Sequence, residues 1–221
     1  MLEVHHLENS RSQRVLWLLE ELALDYTVVP YTRDPETLLA PASLKQVHPL
    51  GKSPVIVDGE VTLAESGAII DYLIDAHDPD GRLMPPPGTP AHRAYRYWLH
   101  YAEGSAMPLL VMSLVFTRLG KPPVPALVRP FGRLLGRGVA SRYLEPQIRT
   151  HLDYWEQTLT ASDWLAGEAF SAADIQMSFP ALARDARGGL GERPALRDWL
   201  GRLKARPAYR RAVERGGEFT L

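Results

Sequence analysis

The sequence predicts an α/β domain at the amino terminus followed by an all-α domain. Strand-like and helix-like segments alternate over residues 1–76, whereas every long apolar segment beyond residue 90 has helical periodicity. A stretch with five prolines and two glycines separates the two patterns, between Asp78 and Pro90. We therefore expect one domain at 1–78, a linker at 79–90 and a second domain at 91–221.

The first domain begins with a β-α-β unit. Residues 2–6 are a short segment that leans apolar and residues 26–31 carry two valines, so both segments favour strands. Between them, apolar side chains repeat at the spacing of one helical face, at Val15, Leu18, Leu19 and Leu22. This order is typical of the start of a layered α/β sheet.

The second half of this domain contains a hairpin. Residues 55–63 form two β-rich runs on either side of Asp58 and Gly59, a dipeptide that favours tight turns. A loose helix is expected at 36–47, before the hairpin. Another is expected after it, where Ile69, Ile70, Leu73 and Ile74 follow a helical period. The predicted order is β-α-β-α-β-β-α.

The second domain has no strand signal. Helices are expected at 91–119, 139–160, 172–187 and 194–206. Four prolines, at 122, 123, 125 and 130, are expected to interrupt the chain between the first two helices. Ser171 and Asp174 have the spacing of a capping box with Asp in place of Glu, so we assign this motif to folding.

Composition excludes several classes of function. A formal net charge of -1 gives no field that would attract nucleic acid. Cysteine is absent, so any thiol chemistry must come from a bound ligand. Of seven histidines only His5 and His6 are close, and neighbours on a strand point to opposite faces, so no metal site is expected. Without a leader-like start or a run of ~20 apolar residues, we expect a soluble, cytoplasmic protein that binds no membrane.

Two segments are candidates for binding a peptide-like ligand. The Ser53-Pro54 bond can be cis, which would turn the Ser53 backbone outward to pair with a ligand's own backbone. An ordinary proline at a strand edge is the alternative. Glu65 and Ser66 precede an apolar helix, where the carboxylate of an α-amino acid would meet a helix amino terminus and its ammonium would meet Glu65. Simple helix capping is the alternative there.

A third candidate segment lies between the first strand and the first helix. Asn9, Ser10 and Ser12 place amide and hydroxyl groups at a helix amino terminus. A hydroxyl there can stabilise a thiolate by hydrogen bonding and lower the pKa of a thiol from about 8.5. Capping of the helix by Ser10 or Ser12 is the alternative.

Taken together and in this order, four segments resemble the soluble (cytosolic) glutathione S-transferase family, nearest to bacterial and fungal members whose first helix begins with Ser-Arg. The segments are NSRSQRV (9–15), PLGKSPV (49–55), LAESGAI (63–69) and FSAADI (170–175). The resemblance covers nearly the whole chain. It implies a thioredoxin-like first domain that binds glutathione and a helical second domain that shapes the pocket for a hydrophobic co-substrate.

The resemblance also implies residue roles. Ser53, before a cis Pro54, resembles the residue whose backbone pairs with the cysteinyl part of glutathione. Glu65 and Ser66 match the pair that holds the γ-glutamyl end, and Lys52 resembles a residue that reaches the glycyl carboxylate. Ser10, four positions before Arg14, matches the hydroxyl that serine-type members direct at the thiol, and Asn9 is the second candidate.

The pocket for the second substrate is expected on the long helix after the linker. Met107, Leu110 and Val111 are candidates to line it, with Glu103 reaching the glutathione of a partner subunit. The family implies a homodimer that conjugates glutathione to hydrophobic electrophiles or reduces peroxides. A non-catalytic interaction module with this fold, or a glutathione-dependent isomerase or dehalogenase, are the alternatives.

Overall fold

The computed structural model describes residues 1–35 and 37–219. Its first part is a four-stranded mixed sheet made of β1 (Leu2–Leu7), β2 (Tyr26–Tyr31), β3 (Val55–Asp58) and β4 (Val61–Ala64). The strand order is β2-β1-β3-β4. β1 runs parallel to β2 and antiparallel to β3, which pairs in turn with β4 as a hairpin. The predicted strands and hairpin are therefore confirmed.

Helices of the first part cover this sheet. They are α1 (Ser12–Leu22), α2 (Leu44–Val47) and α3 (Ser66–His77). The apolar face predicted for α1 is buried completely at Val15, Leu18 and Leu19. The helix predicted at 36–47 is wrong in length, because α2 spans only four residues, and Glu36 lies outside the described residues.

The second part is helical, as predicted. Its helices are α4 (Pro90–Tyr101), α5 (Met107–Arg118), α6 (Arg129–Val139), α7 (Glu145–Ala161), α8 (Ala172–Gly188), α9 (Pro194–Ala205) and α10 (Pro207–Gly216). Short π-helical turns, Ala102–Ala106 and Ala140–Leu144, join α4 to α5 and α6 to α7. The α4–α5 stretch matches the helix expected at 91–119.

Two helices were not expected. Pro130 lies in the first turn of α6, and Pro207 begins α10. A proline in the first helical turn removes an N–H that has no intrahelical partner there, so it begins a helix instead of breaking one. The prediction that prolines interrupt the chain between 119 and 139 is therefore wrong for its last part.

Helix α8 is the central element of the second part. It packs against α4 and α9 and also reaches α1 and α3 of the first part. The buried carboxylate of Asp174 holds its amino-terminal end, accepting hydrogen bonds from the Ser171 N–H at 3.0 Å and the Trp199 indole N–H at 2.9 Å. The predicted capping box is confirmed, and α8 becomes a fixed support for both parts.

One helical stretch, Pro90–Arg118, is long and apolar enough by composition to cross a membrane, with a mean hydropathy of 1.2 in its most apolar window. Its α4 half carries Tyr95 and Trp98, both fully buried, and packs on α8. The α5 half is more exposed, at Val111 and Val115 among others.

Candidate active site

Two cavities adjoin where the sheet faces the helical part. The smaller has a volume of about 180 Å³ and contains the loop after β1 and the loop before β3 in its wall. Four of the predicted residues line it: Asn9, Ser10, Lys52 and Ser53. The larger has a volume of about 380 Å³ and lies between that first loop, α5 and α8. Asn9, Arg11, Arg33, Leu38 and Phe179 belong to both walls.

The loop before β3 is fixed at Ser53. Its hydroxyl donates a hydrogen bond to the His5 carbonyl at 2.8 Å and accepts one from the Leu7 N–H at 3.2 Å. Both partners belong to β1, so the side chain ties this loop to the sheet. The Ser53-Pro54 bond is cis, as predicted. The Ser53 position at the cavity wall is therefore set by the sheet itself.

The start of α3 differs from the sequence expectation. The N-cap residue is Glu65, and Ser66 is the first residue of the helix. The Ser66 hydroxyl accepts a hydrogen bond from the Gln176 amide of α8 at 3.4 Å and caps no backbone N–H. Simple capping by Ser66 is therefore wrong. Neither Glu65 nor Ser66 is among the residues that line the smaller cavity.

Glu65 has an unusual backbone. Its φ of 72° lies in the left-handed region, which residues with a side chain adopt at a cost of about 1–3 kcal/mol. The side chain is exposed, and no carboxylate bond or ion pair of Glu65 is found in the described part of the chain. Such strained residues concentrate where a ligand is bound.

A buried chain of hydrogen bonds holds the Ser10 hydroxyl. Ser10 Oγ lies 2.7 Å from Ser12 Oγ, which lies 2.8 Å from His6 Nδ1. His6 Nε2 lies 2.9 Å from the Gly216 carbonyl oxygen at the end of α10. Because a carbonyl only accepts, Nε2 carries the proton of a neutral ring. Burial lowers the pKa of His6, which keeps the ring neutral at pH 7.

The neutral tautomer fixes the direction of every bond in this chain. His6 Nδ1 accepts at 2.8 Å, so the Ser12 hydroxyl donates to it in preference to the Leu7 carbonyl at 3.3 Å. Ser12 then has no second proton, so the Ser10 hydroxyl donates to Ser12. Ser10 also accepts from the Ser12 N–H at 3.2 Å. Its hydroxyl proton is thus directed at Ser12, which does not line the cavity.

Asn9 occupies the junction between the two cavities. Its φ of 50° places it in the left-handed region, which Asn tolerates better than most residues. Its carbonyl accepts a hydrogen bond from Arg33 at 3.2 Å, and Arg33 also donates to the carbonyls of Glu8 and Leu38. The Arg33 guanidinium therefore links the backbone at Asn9 to the backbone at Leu38.

The larger cavity has an apolar wall on α5. Met107, Leu110 and Val111 all line it, and their role as a substrate pocket stays a prediction. Their spacing of three and four residues places them on one helical face with Leu114. Phe179 and Ala183 of α8 form the opposite wall.

Glu103 does not line this wall, and its reach to the glutathione of a partner subunit stays a prediction. Its carboxylate accepts from Arg11 Nε at 2.9 and 3.1 Å and forms an ion pair with the fully buried Arg14. Arg14 donates in addition to the Gln176 carbonyl at 2.8 Å. Burial lowers the pKa of Arg14 to about 10, and the Glu103 carboxylate offsets part of that cost. Glu103 thus joins α1 to the helical part within one subunit.

Sequence comparisons assign both parts of the chain to one family. A family model for the glutathione S-transferase N-terminal domain matches residues 4–82, and one for the glutathione S-transferase C-terminal domain matches 123–207. Glutathione S-transferase 3 of Schizosaccharomyces pombe is 36% identical, over 100% of this chain and 90% of its own. The chain belongs to the glutathione S-transferase family. Glutathione S-transferase 1 of Saccharomyces cerevisiae is 32% identical, with 97% and 95% covered.

Solved structures agree with this assignment. The crystal structure of a glutathione S-transferase from Actinobacillus pleuropneumoniae superposes with a TM-score of 0.79 at 30% identity, covering 98% of this chain and 93% of that one. The sheet followed by a helical domain is the architecture of this glutathione transferase and of its structural relatives.

Several wall residues of this transferase were not found from sequence. They are Arg33, Arg118, Phe179, Ala183 and Arg187. Phe179, Ala183 and Arg187 are each four residues apart on α8, and that spacing was the available signal. Across residues 1–35 and 37–219 no group of three or more His, Asp or Glu side chains is placed to hold a metal ion.

Proposed function

We propose that this transferase binds glutathione in the smaller cavity and directs its sulfur at a hydrophobic electrophile in the larger one. The observation that carries the proposal is the position of Asn9 and its neighbours. This loop separates a polar cavity at a strand edge from an apolar cavity between two helices, so a thiol held by the first would face a substrate held by the second. The active form is a cytoplasmic homodimer.

The protein would recognise the tripeptide through backbone hydrogen bonds and through charged groups. Its cysteinyl N–H and C=O would pair with the Ser53 backbone, next to the cis Pro54, as an added strand does. Its γ-glutamyl end would lie at the start of α3, where Ser66 and the strained Glu65 supply a helix amino terminus and a free carboxylate. Lys52 would attract the glycyl carboxylate.

The reaction requires the thiolate form of glutathione. Its thiol loses a proton to solvent, the sulfur forms a C–S bond with the electrophilic carbon, and the leaving group departs with its bonding electron pair. A free thiol has a pKa near 8.5, so a hydrogen-bond donor at the sulfur increases the thiolate fraction at pH 7. The protein contributes the donor and the alignment of the two substrates.

Ser10 is our first candidate for that donor, and Asn9 is the second. To donate to sulfur, the Ser10 hydroxyl must rotate away from Ser12 when glutathione binds. Ser12 would then lose one accepted bond, at a cost of about 1 kcal/mol. Asn9 lines both cavities.

Steady-state kinetics of Ser10→Ala and Asn9→Ala, with a halonitroarene as acceptor, tests the donor. We expect the true donor variant to lose tenfold to a hundredfold in kcat while its glutathione affinity changes less than threefold. The pH profile of kcat/KM should shift to a higher apparent pKa in the same variant. Ser141→Ala, an exposed serine on the turn before α7, is the control.

Full activity and an unshifted pH profile in both variants would contradict a role for this loop.

A screen with halonitroarenes, organic hydroperoxides and disulfides would separate conjugation from peroxide or disulfide reduction. Inactivity in all three, together with failure to bind glutathione in calorimetry by folded protein, would instead favour a non-catalytic interaction module. Isomerase and dehalogenase chemistry begin from the same thiolate and need their own substrates to be tested.

A further inference from the structure

The larger cavity combines an apolar floor with positive charge. Four arginines line it and, among the residues described, no Asp, Glu, Lys or His does: Arg11, Arg33, Arg118 and Arg187. A purely hydrophobic substrate offers no group that a guanidinium can bind. The partner of each guanidinium is therefore informative.

Two of the four are satisfied by protein groups. Arg11 is paired with the Glu103 carboxylate at 2.9 Å. Arg33 donates to three backbone carbonyls and so braces the loop around Asn9. Both therefore have structural tasks in the wall.

The other two have no protein partner within the described residues: no hydrogen bond or ion pair of the Arg118 or Arg187 guanidinium is found there. Arg118 is half-buried and Arg187 is exposed at the cavity wall. The two side chains line the same cavity wall, and partial burial and then the positive charge of Arg118 lower the pKa of Arg187. Each lies in the last turn of its helix, where the helix dipole offsets part of the repulsion.

This pair is separate from the predicted glutathione contacts. Arg118 and Arg187 line only the larger cavity, whereas Lys52 and Ser53 line only the smaller one. The pair also stands at one end of the apolar strip formed by Met107, Leu110, Val111 and Leu114 along α5. An apolar strip that ends at two unpaired guanidiniums fits a molecule with an apolar body and an anionic end.

We propose that the electrophile or hydroperoxide accepted by this enzyme is an amphipathic carboxylate, whose charged group binds between Arg118 and Arg187. This proposal rests on the proposed function, because it names the substrate class of the same site. The carboxylate takes no part in the bond-making step. It orients the apolar body so that the reacting atom lies near Asn9.

A matched pair of substrates tests the charge directly. 4-Chloro-3-nitrobenzoate and its methyl ester present the same aryl chloride, and only the first carries a charge. Rates are divided by the uncatalysed rates, because the ester is intrinsically more reactive. We expect the enzyme to prefer the carboxylate, and the ratio of kcat/KM values to fall about tenfold in Arg187→Gln or Arg118→Gln and further in the double variant. A tenfold change corresponds to 1.4 kcal/mol, a typical value for one charge-assisted bond.

The control removes the same charge elsewhere. Arg149→Gln, on the exposed face of α7, should leave the ratio as in the parent enzyme. Added salt should lower the ratio in the parent and have little effect in the double variant. A ratio that is the same in the parent and in both arginine variants would overturn the proposal.

A binding measurement keeps the test independent of turnover. Calorimetry of the glutathione-loaded protein with 3-nitrobenzoate and with methyl 3-nitrobenzoate should give tighter binding of the anion, lost in the double variant. Equal binding of both would contradict the anionic substrate and leave conjugation of neutral aryl chlorides intact. Turnover of neither aryl chloride, with the anion still bound preferentially, would count against conjugation and support the anion site.

Discussion

The two cavities are built by different means. The smaller one has a wall of loop and strand-edge residues whose positions are set by hydrogen bonds, with Ser53 tied to β1 and Ser10 tied to Ser12. The larger one shares part of that loop and adds two walls of side chains on α5 and α8, which are placed by helical spacing. The polar site is therefore specified by short contiguous motifs, whereas the apolar site depends on how two distant helices pack.

Helix α8 connects the two sites. Gln176 near its start bonds Ser66 and Arg14 of the sheet domain, and Phe179 and Arg187 further along line the larger cavity. A change that displaces α8 should therefore damage both sites, whereas a change within one wall should affect one substrate. The following predictions use this difference.

The largest effect is expected for Asp174→Ala. The Asp174 carboxylate accepts hydrogen bonds from the backbone N–H groups of Leu165 and Ser171, from the Trp199 indole and from the Ser171 hydroxyl. The substitution removes the acceptor of all four. Leaving these buried donors unpaired should lower the free energy of unfolding by about 3–5 kcal/mol. Urea denaturation followed by circular dichroism measures it. Asp185→Ala, at an exposed ion pair on the same helix, should cost less than about 1 kcal/mol.

Glutathione and acceptor binding should weaken together in Asp174→Ala. Loss of only one of the two would show that α8 does not support both sites.

Ser12→Ala is expected to have an intermediate effect on stability. It leaves His6 Nδ1 and the Ser10 hydroxyl without their buried partner, which should cost about 1–2 kcal/mol. The same change frees the Ser10 proton to point into the cavity. The apparent pKa of bound glutathione, read from the pH profile of kcat/KM, should therefore stay the same or fall. A raised pKa would mean that Ser12 itself assists the thiolate.

Stability should depend on pH through His6. Burial lowers the pKa of His6 in the folded protein, so below about pH 6.5 the unfolded chain binds a proton that the folded chain does not. The contribution of His6 to the free energy of unfolding should be constant above that pH. Below it, this contribution should fall by at most about 1.4 kcal/mol per pH unit. Burial also lowers the pKa of His5 and His151, so the slope is compared between the parent and His6→Gln. An unchanged slope would contradict the neutral ring assigned to His6.

The smallest effects come from a crossed pair of wall variants. Lys52→Gln should raise the KM for glutathione about fivefold and leave the acceptor KM unchanged, because only the smaller cavity contains Lys52. Leu110→Ala should do the reverse, since it removes apolar surface from the larger cavity. Equal changes in both constants in either variant would mean that the two cavities do not act separately.

Sequence predicted the sheet domain well because its signals are local. The hairpin at Asp58-Gly59 and the apolar face of α1 follow from contiguous residues, and both were found where expected. The start of α6 was missed because Pro130 was taken as a break, although a first-turn proline removes no helical hydrogen bond.

The site was predicted less completely, since parts of it depend on long-range contacts. The direction of the Ser10 hydroxyl follows from the tautomer of His6, which is fixed by a carbonyl 210 residues further along the chain. The placement of Arg118 and Arg187 in one cavity wall depends on the packing of α5 against α8. The left-handed backbone at Glu65 has no sequence signature, because residues with a side chain rarely adopt it.

A structure of the protein with glutathione bound would test the central claim most directly. We predict the tripeptide in the smaller cavity, with its cysteinyl backbone paired to Ser53 and its sulfur within about 3.5 Å of Ser10 Oγ or the Asn9 side chain. Glutathione lying instead between α5 and α8, or a sulfur remote from both residues, would contradict the account.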